Sequence, residues 1–221
     1  MYRLTLTLLT LLLATSGAAC RTGRVDGSPE IVQPGAPGQA TRVISAEKAT
    51  DLSRVQYTPA DVRFMQGMIG HHAQALEMAA LLPERTRRDD MRLLATRIDV
   101  SQADEIQMMR RWLEVRGQQV PGPHAHHAPG APLMPGMLTT EEMSRLADAS
   151  GDAFDRLFLE LMIKHHEGAL TMVKELYSSA GAGQESEMYA FAADVDADQR
   201  MEIDRMRGML VMPTTSKELG R

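Results

Sequence analysis

From Thr58 onward, apolar residues recur at the three- and four-residue spacing of amphipathic α-helices. Thr58-Pro59-Ala60-Asp61 supplies an N-cap, a proline at the first helical position and an acid in the first turn, so a helix is predicted from there to about Leu82. Pro83 breaks that run, and Thr86 to Asp90 starts a second helix whose apolar face carries Met91, Ile98, Ile106, Met109 and Leu113 until Gly117 stops it. The capping-box pattern Thr139-Thr140-Glu141-Glu142 begins another helical segment, which Gly151-Asp152 interrupts or recaps. A long third helix then extends to about Ser178, and beyond Gly181 and Gly183 a fourth runs to Met212-Pro213.

The two halves repeat. Phe64, Met68, Ile69, His71, His72, Ala75, Leu76 and Met78 correspond to Phe158, Met162, Ile163, His165, His166, Ala169, Leu170 and Met172 at a constant offset of 94. On the second helix of each half, Ala95, Ile98, Gln102, Glu105, Ile106, Met109 and Leu113 correspond to Ala192, Val195, Gln199, Glu202, Ile203, Met206 and Leu210 at an offset of 97. Two similar hairpins, each with an apolar face, bury those faces by packing about a pseudo-twofold axis. The expected fold is all-α, a four-helix bundle over 57–213. It comprises a first hairpin at 57–117, a His- and Pro-rich loop at 118–138 and a second hairpin at 139–213.

Composition agrees: aromatics are only 4% of the chain against 17 methionines, so the core is aliphatic and thioether. Residues 1–20 carry Arg3, an apolar run from Leu4 to Ala14 and the small stretch Ser16-Gly17-Ala18-Ala19-Cys20, which predicts a secretory signal and an exported, periplasmic or extracellular protein. Cys20, the only cysteine, sits where bacterial lipoproteins are acylated, although Gly17 replaces the usual leucine; ordinary cleavage nearby is the alternative. Any membrane attachment is expected through that residue alone. Residues 21–56 are rich in Gly, Pro, Ser and Thr and are expected to form a flexible linker, with a short helix possible between Ser45 and Val55. The formal charge is −5 and no basic stripe is present, so nucleic acid is not an expected partner.

Candidate chemistry lies on the apolar stripes. A helical wheel at about 100° per residue puts His72 and His166 inside the stripes and His71 and His165 at their margins, half-buried. Gln102, Glu105, Gln199 and Glu202 fall on the apolar faces of the partner helices. Burying carboxylates costs several kcal/mol, so a reason is needed at both copies. Three are open: a closed polar network that fixes helix register, a metal held or flanked by these groups, or acids that remain partly solvated. Met68 precedes His71 and His72 by three and four residues, as Met162 precedes His165 and His166, which puts thioether and imidazole on one helix face. With Met65, Met109, Met206 and Met209, this favours copper, while zinc and iron remain open. His124, His126 and His127, with Met134 and Met137, either scavenge metal or form a solvated linker.

The segment Met68-Ile69-Gly70-His71-His72 and its copy Met162-Ile163-Lys164-His165-His166, with Gln-x-x-Glu-Ile at 102–106 and 199–203, resemble the domain-of-unknown-function family 305 over roughly Tyr57 to Met212. The resemblance implies a ferritin-like four-helix fold in exported bacterial proteins, some associated with periplasmic copper binding and resistance. It points to His71, His72, His165, His166, Met68 and Met162 as ligands, and Glu105 and Glu202 join them from the wheel. A copper buffer or chaperone without turnover is the leading expectation. A dinuclear-metal enzyme for oxygen or peroxide chemistry is the alternative, although neither glutamate is followed by histidine three residues later. A metal-free interaction module is the third reading. Which histidine of each pair binds, and the oligomeric state, stay open at this level.

Overall fold

The computed structural model describes residues 30–33, 40–50, 56–122, 124–128 and 133–211. The expected signal segment and Cys20 lie outside these residues. Among the described residues, no helix is long and apolar enough to cross a membrane. Within the expected linker, β1 (Ile31–Gln33) and β2 (Arg42–Ile44) pair antiparallel, with Val32 opposite Val43, and α1 covers Ala46–Thr50. β-branched residues on both strands favour this pairing, which the Gly/Pro-rich composition around them obscures.

The second unit is the helical bundle, with α2 (Pro59–Ala80), α3 (Leu82–Arg85), α4 (Asp89–Val115), α5 (Thr140–Asp148), α6 (Gly151–Ser178) and α7 (Ser186–Val211). Helix α2 pairs with α4 and α6 with α7, and the two hairpins meet most extensively along α2 and α6. Thr58 caps α2 by accepting from the Ala60 and Asp61 amides at 3.2 and 3.3 Å. Thr139 and Glu142 close the capping box of α5, each accepting from the other's backbone amide, at 3.2 and 2.9 Å.

Two apolar clusters fill the bundle. One joins the C-terminal part of α2 to the N-terminal parts of α4 and α6 and the end of α7, with Met78, Leu82, Ile98, Phe154, Phe158, Met162 and Met206. The other joins the opposite ends of the same helices, with Phe64, Met68, Met109, Leu113, Val173, Phe191 and Val195. Between them every long helix contributes its buried polar residues: His71, His72 and Gln74 from α2, Gln102 and Glu105 from α4, His165 and His166 from α6, and Gln199 and Glu202 from α7. The bundle therefore has a polar waist between two dry ends.

A reciprocal latch ties the hairpins together. Asp61, fully buried at the start of α2, accepts from the Gly183 amide in the α6–α7 turn at 2.7 Å and from the Thr58 amide at 2.6 Å. Its counterpart Asp155, buried near the start of α6, lies beside the Thr86 side chain in the α3–α4 turn. The aspartates stand 94 apart and Thr86 and Gly183 stand 97 apart, so the latch follows the sequence repeat. Desolvation pushes the Asp155 carboxyl above its ordinary range, and its Oδ1 has no protein partner. Asp61→Ala strands two amides and is expected to destabilise the bundle by about 1–3 kcal/mol. Thermal unfolding checks this: a drop of at least about 2 °C is expected, and an unchanged midpoint would remove the latch.

Candidate metal centre

The waist is built around one contact between the hairpins. The His71 and His165 rings meet with centroids 3.8 Å apart and planes 39° apart, at equivalent positions on α2 and α6. His72 and His166 flank them almost symmetrically, 6.3 Å from His71 and 6.2 Å from His165. His71 and His165 are 0% and 1% exposed, so the expected half-burial at the helix margin is corrected. The margin of the α2 stripe, which would face water in an isolated hairpin, is the face that meets α6.

Each of three rings has one nitrogen engaged. The His166 Nε2–H donates to Glu202 Oε2 at 2.6 Å, and His72 Nε2–H donates to Glu105 Oε2 in the same arrangement. His71 Nε2–H donates to the Pro135 carbonyl at 3.0 Å. These bonds leave Nδ1 as the free acceptor on all three rings, and the Nδ1 atoms of His71, His72 and His166 are buried without a protein partner. Both nitrogens of His165 are unpartnered. Glu105 and Glu202 thus act on the imidazoles, as acceptors that fix tautomer and orientation. Arg97 Nε lies 3.6 Å from Glu202 Oε1 and supplies positive charge at the rim.

A strap from the interhelical loop closes one side of the waist, and the repeat gives no hint of it because the loop occurs once. Gln74 donates to the Leu138 carbonyl at 3.0 Å and accepts from the Leu138 amide at 2.7 Å. Gln74 is replaced at the equivalent place on α6 by Gly168, over which the strap passes. A Cβ on Gly168 would lie 2.0 Å from the Pro135 oxygen, and one on Gly136, where φ is +76°, would lie 2.5 Å from the Lys164 oxygen. Only glycine at both positions lets the Pro135 carbonyl reach His71. Met134 and Pro135 also line a surface cleft of about 260 Å³ with Gly67 and Met172.

Met68 and Met162 are both fully buried, but in different apolar clusters, so each borders the waist from its own end. The layer groups its donors in pairs. Among the described residues, the one set of three histidine or carboxylate donor atoms lying within 4.8 Å of one another is Glu77, His124 and His127, outside the layer. The side chain of His126 lies outside the described residues.

Burial holds His71 down at about 3, with the neighbouring His72 adding to the shift and the Pro135 carbonyl opposing it. Burial likewise keeps His165 well below the ordinary imidazole value, reinforced by His71. Both rings are neutral in the folded chain and protonate near pH 6.5 when it unfolds, so below that pH the unfolded state binds more protons. Stability of the metal-free protein is expected to fall as pH drops from 6.5 towards about 3, the window set by His71. The slope is at most about 1.4 kcal/mol per pH unit for each ring. Urea unfolding at several pH values checks this, and a flat profile that His71→Gln leaves unaltered would contradict it.

The sequence profile of a family described as a domain of unknown function, DUF305, matches residues 61–210. No curated protein matches the chain. Among solved structures, a DUF305 fragment from Deinococcus radiodurans is 34% identical, covering 70% of this chain and 97% of its own, with a TM-score of 0.59. A DUF305 protein from Streptomyces coelicolor, described as secreted, is 32% identical over 68% of this chain and 91% of its own, with a TM-score of 0.58. CopM in its Cu(I)-bound form is 28% identical over 70% of this chain and 96% of its own, with a TM-score of 0.53, and it has also been solved with Cu(II) and with silver. With the profile covering most of the chain and the repeated helix pairs matching in fold, this protein belongs to the DUF305 family.

Proposed function

We propose that this protein is an exported copper-binding protein that buffers copper or hands it on in the cell envelope, with the waist between the hairpins as its binding centre. The observation that carries the reading is the stack of His71 on His165, fully buried, with three of its four ring nitrogens without a protein partner. A buried imidazole nitrogen without a hydrogen bond costs free energy unless it has another partner, and a metal ion is the partner imidazole suits best. Glu105 and Glu202 would orient His72 and His166 and fix which ring nitrogen is left for the ion, as carboxylates do behind ligating histidines.

Copper is favoured over harder ions by the softness of the surroundings. Met68 and Met162 border the waist, Met134 and Met172 line the cleft beside the strap, and thioethers select Cu(I). Donors grouped in pairs suit an ion that accepts low coordination numbers. The binding of Cu(I), Cu(II) and silver by CopM, a relative of the same fold, supports this reading. Export is supported by the signal-like residues 1–20 and by the Streptomyces coelicolor relative described as a secreted protein, and Cys20 would be the anchor if the chain is lipidated.

Competition with a Cu(I) chelator tests the proposal. Replacing His71 and His165 together by alanine is expected to lower Cu(I) affinity at least about tenfold. Met68→Leu with Met162→Leu, which conserves volume and so the fold, is expected to weaken Cu(I) more than Cu(II). Wild-type affinity in both double variants would overturn the assignment.

A further inference from the structure

We propose that Glu77, His124 and His127 form a second metal site, on the surface, that takes an exchangeable divalent transition ion. Glu77 lies on α2, and the histidines come from the loop between the hairpins, where a 3-10 turn covers Ala125–His127 with His124 at its N-terminal flank. Residues three apart eclipse one another in a 3-10 turn, so the turn presents both imidazoles to the same carboxylate. His127 Nε2 is 2.8 Å from Glu77 Oε1 and His124 Nδ1 is 3.9 Å from it, with the two rings 6.1 Å apart and 29° from parallel.

These separations suit a shared ion. Donors each about 2.0–2.1 Å from a tetrahedral zinc stand about 3.3–3.4 Å apart. The observed 2.8 and 3.9 Å bracket that separation, and all three donor atoms lie within 4.8 Å of one another, so small side-chain rotations bring them to one ion. Two imidazoles with one carboxylate are harder than the imidazole and thioether donors at the waist, so the site selects Cu(II), Zn(II) or Ni(II) over Cu(I). Three protein ligands leave a coordination position for water, and the exposed setting lets the ion exchange.

Position gives the site a role. Glu77 follows His71 by six residues on α2, roughly 9 Å along the helix axis. The loop that carries the two histidines leads on to the Pro135 strap over His71. An ion held here would fasten the loop to α2 beside the waist, as a point of capture.

The inference does not depend on copper binding at the waist, and one experiment separates the two. The untagged full-length protein is titrated with CuCl₂ and, separately, ZnSO₄ by calorimetry, with the Cu(II) samples examined by electron paramagnetic resonance. The variant with His124→Ala and His127→Ala is expected to lose one equivalent of each ion, or to bind it at least about tenfold more weakly, and to lose nitrogen splitting from that copper. Glu77→Gln should weaken the same equivalent, while Cu(I) uptake stays at the wild-type level. If the waist binds nothing, His71→Ala with His165→Ala changes no ion's binding, yet the surface equivalent persists. Unchanged Cu(II) and Zn(II) stoichiometry and affinity in the His124/His127 variant, or no divalent binding by the wild type, would overturn the site.

Discussion

The cost of burying a polar layer across the middle of the bundle governs the rest of this structure. Four imidazoles, two carboxylates and three amides sit between two apolar clusters, where each unpaired polar group is penalised and each unpaired charge more so. The chain meets part of that cost internally: Glu105 and Glu202 each take one imidazole proton, and the Pro135 carbonyl takes a third. It leaves Nδ1 of His71, His72 and His166, both nitrogens of His165, Gln102 Oε1 and Gln199 Nε2 without protein partners. A network evolved only to fix helix register would close more of these bonds than it leaves open. Three of the open nitrogens belong to His71 and His165, whose rings meet where α2 packs on α6.

Holding that interface requires devices away from it. The Asp61–Gly183 bond ties α2 to the other hairpin's turn, with Asp155 at the equivalent place beside Thr86, and so helps set the register in which His71 meets His165. The strap adds an asymmetry that the repeat alone does not supply, since Gln74 grips it on α2 and Gly168 makes room for it on α6. As a result His71 and His165 are equivalent in sequence but not in chemistry. One has its Nε2 engaged, and the other presents both nitrogens.

Much of this was legible in the residues. The constant offsets of 94 and 97 define the hairpins and their pairing, and caps such as Thr58 and Thr139 mark helix starts. The helical wheel identified the residues of the waist other than Gln74 but misjudged the exposure of His71 and His165. It treats a helix as having one buried face, whereas α2 and α6 are buried against their hairpin partners and against each other. The latch was visible in principle, because Asp61 and Asp155 share the repeat offset, but an acid in a first turn reads as a dipole partner until its distant acceptor contact is known. The strap was not legible: it depends on a crossing between Gly136 and Gly168 that no periodicity announces.

The central claim is that copper binds in the waist, on nitrogen atoms the fold leaves open. X-ray absorption spectroscopy at the copper edge tests it most directly, on protein loaded with one equivalent of Cu(I) and carrying His124→Ala and His127→Ala to silence the surface site. The account predicts a first shell of imidazole nitrogen with thioether sulfur, and loss of its imidazole scattering when His71 and His165 are also replaced. A shell of oxygen or nitrogen without sulfur, indifferent to those two histidines, would contradict it.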